Sequence, residues 1–232
     1  MTGERTQPEF NEYASNYEAV INDYVGVFGQ PQEFYTRAKA DHLRHILDAK
    51  RVTKTLDVLD IGCGHGLIHS YLRDAGCRLT GIDVAENAIE MARRRNPHVH
   101  YDVYDGSRLP YADETFDVLV TIGVMHHVAV DQRNTFVGEA RRVLRPGGSF
   151  VIFEHNKLNP LVQWIVARIP FDRNAVLLTG WRAQKLVRAA GFREIDCRYI
   201  LFFPFEAAAL RKVEGYLGWL PLGAQYCVIA TK

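Results

Sequence analysis

Residues 58–66, VLDIGCGHG, place glycines at 62, 64 and 66 directly after an apolar run. Glycine is favoured where a backbone must turn sharply or let something approach it closely. Residues 56–61, LDVLDI, read as a short buried strand, so the glycines form a turn from its carboxyl end into a helix. Asp60 stands before the turn, and Cys63 and His65 lie inside it. Gly62 and Gly64 allow the bend, and Gly66 allows close packing where the next helix begins. Two familiar owners of such a turn are disfavoured. A dinucleotide fingerprint needs G-x-G-x-x-G, but residue 67 is leucine, and the Gly-Lys-Ser/Thr ending of a phosphate loop is absent.

Outward from this turn, apolar β-branched runs alternate with helical periodicity. Residues 78–83, 98–103, 116–122 and 149–154 read as further strands, and 66–75, 86–95 and 131–144 as helices between them. RPGG at 145–148 is the turn that opens the fifth strand, and a helix at 181–190 and strands at 192–200 and 224–231 follow. This alternation implies right-handed crossovers and a mostly parallel sheet covered on both faces. No repeat or linker divides residues 1–232, so a single domain is expected. Residues 8–50 read as helices before the first strand, 56–155 as the ligand-binding core, and 157–180 and 203–222 as insertions. Ligands of open α/β sheets sit beyond the carboxyl ends of the strands, so the helices and insertions are natural material for a lid.

The composition is that of an ordinary soluble protein, 47% hydrophobic and 24% charged. A net charge of +1 gives no reason to expect nucleic acid, and ARRR at 92–95 and ARR at 140–142 read as solvated helix faces. Cys63, Cys77, Cys197 and Cys227 lack pair spacing, which suggests reduced thiols in the cytoplasm. The first residues are polar, with no signal core, and no apolar run approaches the roughly 18 residues that cross a bilayer.

Asp83 ends the second strand, where a carboxylate can accept from both hydroxyls of a ribose, and Val84 offers an apolar surface to one face of an adenine. Asp105 follows the third strand, positioned to accept from an exocyclic amine. With Asp60, three carboxylates thus end or follow neighbouring strands. They would repel a phosphate-bearing cofactor and favour a cationic nucleoside with an amino-acid tail.

VLDIGCGHG, Asp83, DGSRLPYADETFDVLV at 105–120 and VLRPGG at 143–148 together resemble the class I S-adenosylmethionine-dependent methyltransferases. Within them the chain resembles the small-molecule branch with the ubiquinone/menaquinone-type and sugar-modifying enzymes. The resemblance covers about residues 56–155. It implies a Rossmann-like, doubly wound, seven-stranded sheet whose last strand is antiparallel. It also implies that Gly62, Cys63, Gly64 and Gly66, with Asp60, lie under the methionine and ribose portions, and that Asp83 holds the ribose. Asp105 with Gly106 or Ser107 would read the adenine edge, and Gly123 would lie near the methionine portion.

Methyl transfer asks the protein for alignment and desolvation, and an oxygen or activated-carbon acceptor also benefits from a base. IGVMHHV at 122–128 supplies His127, the first candidate base, and His126; FEHN at 153–156 supplies His155 on the same edge. Each is equally readable as a packing or capping histidine, and His65 as packing beside the cofactor. Phe10, Tyr13, Tyr17, Val20, Ile21 and Tyr24 form a helical stripe. A tyrosine-rich leading helix closes over the cofactor in related enzymes, which makes Tyr17 a candidate contact. Lys39, one turn after Tyr35, is a candidate for the methionine carboxylate or a solvated lysine.

The Asp/Asn-Pro-Pro-aromatic turn of amino-methylating nucleobase enzymes is absent. Thr121 and Gly123 replace the magnesium-binding carboxylates of catechol-type enzymes, and the adjacent histidines and scattered cysteines form no recognisable metal set. The apolar, aromatic insertions suit either a packed cap or a pocket for a hydrophobic or lipid-linked acceptor. Arg168, Arg173, Arg182, Arg211 and Lys212 are candidates for an anionic group on it. The expected activity is methyl transfer to a small molecule, most naturally to oxygen, in the making of a sugar-linked, quinone-like or other secondary metabolite. The same fold acting on a tRNA base or protein, a non-catalytic cofactor-binding regulator, and transfer of a group other than methyl stay open.

Overall fold

A computed structural model describes residues 17–25, 30–50, 54–172, 174–205 and 207–232. Two helices, α1 (Tyr17–Val25) and α2 (Gln32–Lys50), precede β1 (Leu56–Ile61). There follow β2 (Cys77–Asp83), α3 (Glu86–Arg95), β3 (His100–Val103), β4 (Phe116–Ile122), α4 (Arg133–Val143) and β5 (Leu144–His155). The chain then forms α5 (Pro160–Val166), α6 (Gly180–Ala189), β6 (Arg193–Ile200), α7 (Ala208–Leu217) and β7 (Gln225–Thr231).

The seven strands lie in the order β3-β2-β1-β4-β5-β7-β6. β7 runs antiparallel to both neighbours, and the pairings from β3 to β5 are parallel, as the resemblance implies. Strand side chains alternate between two cores. Leu59, Ile61, Leu119, Phe150 and Ile152 pack with Val137, Ala140 and Val143 of α4 and Val187 of α6. Val58, Val118, Val120 and Val151 pack on the other face with Phe34, Leu43 and Leu47 of α2. A parallel sheet buried on both faces needs such near-continuous apolar strands, and six of the seven β4 residues are buried.

Three sequence expectations are corrected. The helix expected at 66–75 is only a 3-10 turn, His69–Leu72. Backbone bonds here run from residue i+3 to residue i, as from His69 N–H to the Gly66 carbonyl, which also accepts from Asn96, while the Tyr71 carbonyl accepts from Arg44. His69 is fully buried between Asp60 and Tyr101. RPGG does not interrupt the sheet: β5 runs through it, with a register shift opposite Phe116–Val118 and Gly147 at φ 74°. ARR at 140–142 is not a solvated face, because Arg142 is clamped by Glu139 and Asp113 and by the carbonyls of Leu109 and Tyr111.

The insertions meet the carboxyl edge of the sheet. Asn159 caps α5 by accepting from Leu161 and Val162 N–H, a 3-10 turn follows at Pro170–Asp172, and α7 lies between β6 and β7. Val20, Ile21 and Tyr24 of α1 pack on Ile165, Ile169 and Phe171, while Phe10, Tyr13 and the Tyr17 side chain lie outside the described residues. All four cysteines are free. Among the described residues no helix is long and apolar enough to cross a membrane.

Gly66 sits at φ 62°, and a β-carbon there would overlap the Tyr101 hydroxyl and stand 2.9 Å from Asn96 Nδ2. Gly66→Ala is expected to cost about 2 kcal/mol, from left-handed strain and the displaced Tyr101. A lower urea midpoint at unchanged slope is the readout.

Candidate active site

The carboxyl ends of β1, β2, β4 and β5 open into one cavity of about 980 Å³. Its wall includes Asp60, Gly62, Cys63, Gly64, Asp83, Val84, Asp105, Gly106, Ser107 and Gly123, with Lys39, His126, His127 and His155 on the other side. The fold thus brings together the predicted residues, two excepted. Gly66 packs behind the turn and does not line the cavity, and the Tyr17 side chain is outside the described residues.

The glycine turn is stitched to β2. Gly62 and Cys63 N–H both donate to the Ile82 carbonyl, and Gly64 N–H donates to Asp83 Oδ2 at 2.8 Å. Ala85 N–H donates to Asp83 Oδ1 at 2.9 Å. Burial pushes the Asp83 carboxyl up against these bonds. Gly62 and Gly64 have φ of 77° and 51°, and no atom lies within 4 Å of a β-carbon built at Gly64. The backbone is therefore bare toward the cavity. On the adenine side, Asp105 Oδ1 accepts from Ser107 and Arg108 N–H, which holds its carboxyl below the usual range.

Asp60 Oδ2 is 2.9 Å from His69 Nε2, but its buried Oδ1 has no donor among the described residues. A buried carboxylate oxygen lacking a partner is costly, and an ammonium from a ligand would satisfy it. The donor set fits S-adenosylmethionine on that count: Asp60 would hold its ammonium and Asp83 its ribose. Buried His65 lines the same wall. Lys39 is half-buried on the cavity wall, and burial lowers it to about 8 against the pull of Glu154.

The other half holds a chain of charges. His126 Nδ1 lies 2.7 Å from Glu154 Oε2, and its Nε2 lies 3.6 Å from Asp172 Oδ1. Burial alone would push His126 down, but Glu154 and Asp172 outweigh it and raise it to about 10. The two carboxylates thus favour the protonated form of His126. Burial and the charge on His126 push His155 down to about 4, so it stays neutral. His127 Nε2 lies 3.2 Å from Asp172 Oδ1. Both rings of the adjacent pair thus approach the same Asp172 oxygen, and His127 lines the cavity.

Asp172 is the residue that sequence reasoning missed. It lies 45 positions beyond His127 in an apolar insertion, and the lone carboxylate in IPFD was its only signal. It also changes the expectation about metals. One donor atom from each of His126, His127 and Asp172 lies within 4.8 Å of the others, a set that spacing along the chain does not show. Asn156, by contrast, is a structural tie, donating to the Pro221 and Gly223 carbonyls. Arg168, Arg182, Arg211 and Lys212 are not on the cavity wall, and Arg173 lies outside the described residues.

An open, mostly parallel sheet with a bare glycine turn and carboxylates along one edge defines a nucleoside-cofactor fold. Residues 59–152 match the family described as a methyltransferase domain. The sterol 4-C-methyltransferase of Caenorhabditis elegans is 27% identical over 161 residues, covering 64% of this chain and 48% of that protein. The demethylmenaquinone methyltransferase of Renibacterium salmoninarum is 28% identical, covering 65% of this chain and 60% of that protein. The chain thus spans about half to three-fifths of these curated relatives. A crystal structure of an S-adenosylmethionine-dependent methyltransferase from Thermotoga maritima superposes with a TM-score of 0.68 at 21% identity, covering 97% of this chain and 99% of that one. Residues 59–152 thus carry a methyltransferase domain, and the chain has the fold of solved S-adenosylmethionine-dependent methyltransferases, the cofactor that this domain and its relatives imply.

Two outcomes test the site. Asp83→Ala is expected to weaken S-adenosylmethionine binding by about 100-fold in titration calorimetry, since a buried charge-assisted pair is lost. For His126, the folded pKa of about 10 lies above the ordinary 6.5. Its stabilisation is therefore fully present below pH 6.5 and lost as pH rises through about 10. The melting temperature is expected to fall over that window, and less steeply in His126→Gln.

Proposed function

We propose that this chain transfers the methyl group of S-adenosylmethionine to a hydroxyl oxygen of an apolar small molecule, with His127 as base and Asp172 as its orienting partner. The observation that carries this is the His127–Asp172 pair, 3.2 Å apart, in the same cavity as the glycine turn. S-adenosylmethionine supplies an electrophilic methyl on a sulfonium and leaves as a neutral thioether. His127 accepts the hydroxyl proton as the acceptor oxygen becomes nucleophilic, and Asp172 stabilises the imidazolium that results.

The acceptor side is apolar: Val162, Ile165, Val166, Ile169, Phe171 and Leu201 line it. A cavity of this lining supports a small hydrophobic acceptor over a tRNA base or protein. The names of the two relatives, a sterol 4-C-methyltransferase and a demethylmenaquinone methyltransferase, agree with an apolar acceptor but not with oxygen, which rests on the His127–Asp172 pair alone. A quinone-like or sugar-linked secondary metabolite fits this reading. Residues 1–232 then act as one domain, with the leading helices and the insertions at 157–180 and 203–222 as its lid. Four free cysteines support work in the reducing cytoplasm.

His127→Ala is expected to keep S-adenosylmethionine affinity within about twofold and to lose turnover by about 10²–10⁴. Full activity in that variant moves the base elsewhere. Carbon-labelled methyl observed by NMR on the product distinguishes oxygen from carbon attachment. Activity is expected to be insensitive to EDTA. Loss restored by a divalent cation would instead assign His126, His127 and Asp172 to a metal.

A further inference from the structure

The two insertion helices are amphipathic in an unusual sense. The inner side of α5 closes the cavity, with Val162, Ile165 and Val166 buried. The outer sides of both helices are also apolar, where a solvated helix carries polar residues. On α5, Leu161 is 50% and Trp164 46% exposed; on α7, Val213 is 45% and Tyr216 82% exposed. Trp219 and Leu222, just beyond α7, are 75% and 61% exposed. These belong to one region, because Asn159, the cap of α5, donates from Nδ2 to the Leu222 carbonyl at 2.9 Å. Leu161 is both half-exposed and on the cavity wall, so the region borders the mouth.

Cations are interleaved with these side chains, and Arg211 of α7 is paired with Asp41. The Arg168 guanidinium stacks 3.8 Å from the Trp164 ring centroid, and Lys212 is exposed beside Val213. Glu214, the carboxylate of α7, is turned inward and accepts from Phe202 and Phe203 N–H. Tryptophan and tyrosine beside cationic heads are the side chains that settle at the boundary between headgroups and acyl chains. Anionic lipids add attraction for each Lys or Arg near the surface. A spanning segment is not needed for such contact.

We infer that the outer face of α5, α7 and the 219–222 loop docks on the surface of an anionic phospholipid bilayer, with the mouth of the cavity turned toward the lipid. The contact is peripheral, made by Trp164, Tyr216 and Trp219 entering the interface while Arg168 and Lys212 meet headgroups. It extends the reading of an apolar acceptor by giving that acceptor a source. Docking is measured without turnover, so its failure is distinguishable from failure of the methyl-transfer reading.

The full chain is sedimented with vesicles of phosphatidylcholine alone and of phosphatidylcholine with one third phosphatidylglycerol. Binding to the anionic vesicles is expected to exceed that to neutral ones by about tenfold and to be partly released by salt. The tryptophan emission is expected to shift blue on binding. The double variant Trp164→Ser/Trp219→Ser should lose about tenfold in vesicle affinity with an unchanged far-UV circular dichroism spectrum. Trp181→Ser, on exposed α6 outside the insertions, should bind as wild type. Absence of vesicle binding by the wild type, or equal binding by the double variant, overturns the inference. So does a dimer in light scattering that those two substitutions dissociate, since a second copy would then cover this face.

Discussion

An imidazole between two buried carboxylates holds the carboxyl edge of the sheet together. His126 joins Glu154 at the end of β5 to Asp172 in the insertion turn, and its own backbone carbonyl accepts from Val176 N–H at 2.9 Å. Charges buried this deeply are tolerable only when paired, and loss of one partner typically costs about 3–5 kcal/mol. The insertion is therefore fixed to the sheet edge by electrostatics as well as by the apolar contacts of Ile165, Ile169 and Phe171. His127 inherits its position from that arrangement, because Asp172 is shared between the two rings.

The cavity is divided by the same constraint. Along β1, β2 and the loop after β3 it presents carboxylates and bare backbone, a surface for a cationic nucleoside. Under α5 and beside Leu201 it presents hydrocarbon. Between them stand neutral His155 and the His127–Asp172 pair. The reaction proposed above, which moves one methyl and one proton, would use such a boundary.

The cofactor half was legible because its determinants are local. Gly62 and Gly64 require positive φ, and Asp83 ends β2 within hydrogen-bonding reach of the Gly64 N–H, so strand, turn and carboxylate are set by positions close in the chain. After Gly66 the backbone bonds run from residue i+3 to residue i, as from His69 N–H to the Gly66 carbonyl, so the expected helix is only a 3-10 turn that distant Arg44 and Asn96 also bind. The roles of the three histidines were equally hidden. Two adjacent residues, His126 and His127, look interchangeable in the sequence. Glu154 and Asp172 favour the charged form of one against its burial, while the other lines the cavity beside Asp172.

By itself the sequence determined the alternation of strands and helices, the mostly parallel sheet and the edge on which a nucleoside cofactor binds. Apolar periodicity and glycine geometry act over a few residues, so they are written in the order of the chain. Only the tertiary structure decided which titratable groups share a proton. Electrostatic coupling depends on distance through the fold, and Asp172 reaches His127 at 3.2 Å across 45 positions of sequence.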